Sequence, residues 1–106
     1  MLISVLVRRL REGKTYEDFR AAWLPDKGFG VRPRVVTGQR MDDPRQIVTI
    51  GFSDLEPEDA DDFLGRVAAQ EQVRHDRIAA VIEPDMTRAF YVQVADDDLT
   101  DAPPPA

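Results

Sequence analysis

Cysteine is missing from this 106-residue chain, asparagine is missing too, and histidine occurs once. Without thiols there is no disulfide, no thiolate metal site and no Cys nucleophile. A single His leaves an all-protein zinc site short of its usual ligand set. No phosphate-loop or dinucleotide pattern occurs. Neither a metal nor an organic cofactor is therefore expected. No apolar run approaches the roughly 18 residues of a membrane span. The opening apolar run is short, and Arg8 and Arg9 follow it rather than precede it, unlike a signal peptide. These features predict a cytoplasmic protein with no membrane partner.

Basic residues are scarce in the second half. Residues 1–53 carry 10 Lys/Arg against 6 Asp/Glu, and residues 54–106 carry 4 against 14, giving the net −6. An acidic body argues against nucleic acid, which needs a basic face. The positive half is almost all Arg, with Arg32, Arg34, Arg40 and Arg45 close together. Such a cluster either sits solvated on strands and a hairpin or takes an anionic ligand, because Arg pairs bidentately with carboxylates.

The most informative stretch is Leu2–Val7, apolar except for Ser4. A strand with one wet face alternates; a nearly continuous apolar run predicts a central strand covered on both faces. A Gly-containing turn, Glu12-Gly13-Lys14, leads to Thr15 as N-cap with Asp18 in a capping-box position. A helix over Tyr16–Leu24 follows, with Tyr16, Phe19, Ala22 and Trp23 on one face and Pro25 ending it. Strands are predicted at Arg34–Met41 and Gln46–Ser53, joined by a turn at Asp42-Asp43-Pro44-Arg45. Glu56-Pro57-Glu58-Asp59 opens a second helix with stripe Ala60, Phe63, Leu64, Val67 and Ala68. Continued, that stripe meets Glu71, Arg74 and His75 before Ile78 and Ile82. Either the helix breaks near Gln72 or polar residues face inward. A last strand spans Arg88–Ala95. Residues 96–106, acidic and then Pro-rich, read as a disordered tail on a domain spanning 1–95.

The order β-α-β-β-α-β is the ferredoxin-like arrangement, an α+β fold whose strands one and three are central in a four-stranded antiparallel sheet. Two helices cover one face only. The other face carries Leu2, Leu6, Ile47, Thr49, Tyr91 and Gln93, or the residues one position along. Such a face is too apolar for water, so a homodimer closed sheet against sheet is expected.

The element order, the opening strand and the segment Tyr16-Glu17-Asp18-Phe19-Arg20-Ala21-Ala22-Trp23 resemble the dimeric α+β barrel superfamily. That group includes the antibiotic-biosynthesis monooxygenases, the EthD-like proteins and the stress-responsive A/B barrel proteins. The spacing Phe19-x-x-x-Trp23 is similar to the EthD-like pattern. Haem-degrading relatives use an Asn, which this chain lacks, so haem degradation is set aside. The resemblance implies a pocket between helices and sheet that holds a hydrophobic or aromatic small molecule. It also implies a cofactor-independent monooxygenase or cyclase as one activity. The alternative is a non-catalytic ligand-binding or assembly protein.

His75 is the candidate base, with Glu71 one turn earlier placed to fix its tautomer. The same segment also reads as a polar, exposed helix end. Trp23, Tyr16 and Phe52 are candidate pocket walls, although a Trp on the apolar face of a helix is more often core and a Tyr such as Tyr16 more often structural. The Tyr91 hydroxyl could orient a ligand and Arg34 could pair with its carboxylate; exposed strand positions account for both as well.

Overall fold

The computed structural model describes residues 1–30 and 33–105. Arg32 of the clustered arginines lies outside the described residues. Leu2–Arg9 forms β1, Tyr16–Trp23 α1, Arg34–Arg40 β2, Asp43–Ser53 β3, Ala60–Ala79 α2 and Thr87–Val92 β4. A single 3-10 turn, Pro57–Asp59, with Pro57 at its start, leads into α2. The strands make one antiparallel sheet in the order β2-β3-β1-β4. The fold is ferredoxin-like, and β1 and β3 are its central pair.

Thr15 caps α1 through a full capping box. The Asp18 N–H donates to the Thr15 hydroxyl at 3.2 Å, and the Thr15 N–H donates to the Asp18 carboxylate at 2.9 Å. Two otherwise orphan donors are satisfied this way. The far end of α1 is closed by α2. Arg74 donates from Nη1 to the Trp23 carbonyl at 2.8 Å. Arg77 donates to the carbonyls of Ala22 and Leu24 at 3.3 and 3.1 Å. These are carbonyls that a helix C-terminus leaves without intrahelical partners.

The second helix runs unbroken through Gln72; of the three polar residues on its stripe, Arg74 and Glu71 are turned inward and His75 is exposed. The β2–β3 turn is tighter than the sequence suggested. It lies at Met41-Asp42, and β3 already begins at Asp43. Pro44 is tolerated because the register jumps there: Gln39 pairs with Ile47 and Arg40 with Asp43, leaving Pro44 in an irregularity of the ladder. The last strand stops at Val92 rather than Ala95. Val92 pairs with Leu2, the first residue of β1, and only a Gln93 N–H to Met1 carbonyl bond extends the ladder.

The phase of the sheet is the second of the two the sequence allowed. Leu2, Ser4, Leu6, Arg8, Ile47, Thr49, Gly51 and Ser53 share the helix-covered face, since Arg8 and Ile47 pair, as do Leu6 and Thr49. The open face carries Ile3, Val5, Val7, Val36, Val48, Ile50, Phe52 and Tyr91. Both phases of β1 are apolar, and the more apolar phase of β3, Val48, Ile50 and Phe52, is the one left open, so alternation could not identify the helix-covered face.

Helix α1 has eight residues, about 12 Å at the α-helical rise, and covers only one end of the sheet. There Leu10, Phe19, Ile47 and Ile78 are each at most 3 % exposed, joined by Ala22, Val81 and Ile82. Burying a side chain such as Phe19 contributes about 1.5–3 kcal/mol. The other end of the sheet has α2 above it but no second helix.

Candidate functional site

That uncovered end is a half-open cavity of about 770 Å³. Its floor is Leu2, Ser4, Val35, Gly51 and Ser53 on the sheet. Phe63, Leu64 and Arg74 of α2 form one wall, and Trp23 with the Pro25–Phe29 stretch beyond α1 forms another. Phe90 and Val92 of the edge strand β4 complete it. The lining is mostly apolar and aromatic with a few polar groups, the usual make-up of a small-molecule site.

Gly51 shapes the floor. A Cβ there would sit 2.6 Å from the Ser4 Oγ, so the absence of a side chain lets the Ser4 hydroxyl stand at the base of the cavity. Trp23 stacks on Phe19 at 6.4 Å between ring centroids, which couples the wall to the core. The Arg74 guanidinium lies 5.6 Å from the centre of the Trp23 ring and 5.7 Å from that of Phe29, between two aromatic faces. Cation–π contacts of this kind contribute about 0.5–2 kcal/mol each. Arg74 is further held by Glu71, donating from Nε and Nη2 at 3.0 and 2.9 Å in the two-pronged fashion.

Behind this wall lies Arg8, 4 % exposed. It donates to the Thr49 hydroxyl at 2.9 Å and covers the Phe19 ring at 5.4 Å. Burial first, then the positive charges of Arg74 and Arg88, lower its guanidinium to about 10, with Glu71 pulling the other way. It is still a cation at neutral pH.

The structure spreads the predicted residues over three places. Trp23 lines the cavity. Tyr16 packs against the core at the opposite end of the helix layer. Phe52 and Arg34 pair across the ladder on the open face and line a shallow cleft beside Ile3 and Gln93, away from the cavity. Tyr91 pairs with Ile3 and belongs to the open face, touching the cavity only at its rim. His75 is 44 % exposed, its Nε2 3.3 Å from the Glu71 Oε2, and Glu71 reaches the cavity only through Arg74. Ser4, Phe29, Phe63 and Arg74 line the cavity without having been candidates from the sequence, and Arg74 is the charged one among them. Its signal was present, in a cation falling on the apolar stripe of α2, but charge alone assigned it to a solvated helix end.

Several solved structures share this ferredoxin-like fold. An uncharacterized NIPSNAP domain protein from Burkholderia xenovorans is 24% identical, with a TM-score of 0.64 over 92% of this chain and 99% of that one. A crystal structure of an antibiotic biosynthesis monooxygenase is 14% identical, with a TM-score of 0.62 over 90% and 100%. A NIPSNAP family protein from Agrobacterium tumefaciens is 16% identical, with a TM-score of 0.57 over 88% and 92%. No family model and no curated protein matches the chain. No helix among the described residues is long and apolar enough to cross a membrane.

Proposed function

We propose that this chain is a homodimeric α+β barrel protein that binds a hydrophobic or aromatic small molecule between its helices and its sheet. The observation that carries the reading is the cavity: about 770 Å³, aromatic on three sides, with Ser4 and Arg74 as polar groups facing a ligand. A protein whose only role was assembly would fill that space with side chains. The apolar open face supports the dimer, because a face of Val, Ile, Phe and Tyr exceeds what monomers leave in water. The test is an NMR titration of the ¹⁵N-labelled protein with 1-naphthol, 2-naphthol and 1-naphthoate. Saturable shifts at Ser4, Gly51, Phe63 and the Trp23 indole are expected. Shifts confined to the open face, or none with any of the three, overturn the reading.

Catalysis is the second reading, favoured by the monooxygenase among the structural neighbours. In it, the chain is a cofactor-independent monooxygenase or cyclase and the Glu71–His75 pair supplies the base. It ranks second because His75 stands outside the cavity wall. Oxygen uptake with 1,4-dihydroxynaphthalene above the uncatalysed rate, lost in His75→Ala, would establish it.

A further inference from the structure

We propose that the cavity selects an organic anion, an aromatic or apolar body carrying one carboxylate, with the carboxylate held by Arg74. The inference rests on the ligand-binding reading above and specifies its ligand.

Charge balance is the first ground. Arg74 lines the cavity, and Arg8 of β1 and Arg88 of β4 stand on the helix-covered face of the sheet, near enough that the charges of Arg74, Arg88 and Glu71 all act on Arg8. Arg8 and Arg74 are largely removed from water, at 4 % and 13 % exposure. Two enclosed cations against one enclosed anion leave positive charge uncompensated, and interiors disfavour that unless something negative is supplied. Asp61, a carboxylate that does line the cavity, is an exposed residue at the start of α2, several turns from Arg74.

Donor capacity is the second ground. A guanidinium has five N–H donors. Arg74 spends three, on both oxygens of Glu71 and on the Trp23 carbonyl. One N–H on Nη1 and one on Nη2 remain, on a side chain that lines the cavity. The Nε of Arg8, buried directly behind, has no partner among the described residues. A carboxylate at Arg74 would use the spare donors, and the positive field of Arg8 and Arg88 would reinforce it.

The aromatic body follows from the same geometry. Trp23 and Phe29 flank the Arg74 guanidinium, so a ring whose carboxylate reaches Arg74 lies against Trp23 and Phe63. Glu71 holds Arg74 in place from the other edge, making Glu71 a positioning residue.

Calorimetric titration with 1-naphthoate and with its neutral near-isostere 1-naphthamide decides the matter. On the unaltered protein the naphthoate should bind tighter by on the order of tenfold. That preference should fall close to one in Arg74→Gln, survive in part in Arg74→Lys, and shrink with added salt. Equal affinity of the two compounds overturns the anion selectivity and leaves the ligand site standing. Binding of neither overturns both. A preference that persists undiminished in Arg74→Gln overturns the assignment to Arg74. The ligand pair is read on the unaltered chain, so a variant that failed to fold would not remove the test.

Discussion

Two residues set local geometry that larger features depend on. Thr15 closes the capping box of α1, and Thr15→Ala should cost about 1 kcal/mol in urea unfolding. The Asp18 carboxyl is lowered below its usual 3.8 by the Thr15 backbone N–H first and the Thr15 hydroxyl second. A depressed folded-state value means the contribution is whole above the unfolded-state value and is lost as pH falls through the folded one. The stability gap between the protein and Asp18→Asn should therefore be constant near neutrality and close on acidification below 3.8. Gly51 acts through space rather than conformation. Gly51→Ala should fold, because the Ser4 hydroxyl can rotate away, but the methyl raises the cavity floor. Naphthoate affinity should drop several-fold with little change in melting temperature. An unaltered affinity would mean that the ligand does not reach the floor.

Between elements, the decisive contact is α2 against the end of α1. Arg74 and Arg77 cover three carbonyls at that end, and Arg77 also pairs with Asp26 at 2.7 Å. Arg77→Ala should destabilise by about 1–2 kcal/mol, read from denaturant midpoints, since hydrogen bonds from charged donors contribute on that scale. The element order, the central place of β1 and the α1 cap were legible in the sequence, because each rests on local signals: an apolar run, a Thr-x-x-Asp box, proline punctuation. The polar stretch of α2 was legible only as a dilemma. Glu71, Arg74 and His75 fall on a stripe that periodicity marks as inward and composition marks as wet. The structure resolves it residue by residue, with Arg74 inward on Trp23, Glu71 half-buried behind it and His75 in solvent. The phase of the sheet was illegible for a related reason. Leu2–Val7 is apolar on both faces, and what chooses the helix-covered one is distant in sequence: Ile47 and Leu10 against Phe19 and Ile78.

Across the whole molecule, a core at one end of the helix layer and a cavity at the other follow from one disparity. Helix α1 has eight residues and α2 has twenty, so a second layer covers only half of the sheet. The opposite face, with Val5, Ile50 and Phe52 at its centre, is the surface that the dimer reading places between two copies. Ile50→Lys should convert the protein to a monomer in sedimentation experiments while leaving the helix-side fold intact, because Ile50 points away from the Phe19 core. Whether the helix-side cavity is a ligand site in a dimer can be read by native mass spectrometry with added 1-naphthoate. A species of twice the chain mass that takes up one naphthoate per chain is expected. A species of single chain mass, or a dimer that takes up none, would overturn both the ligand site and the dimer as one unit.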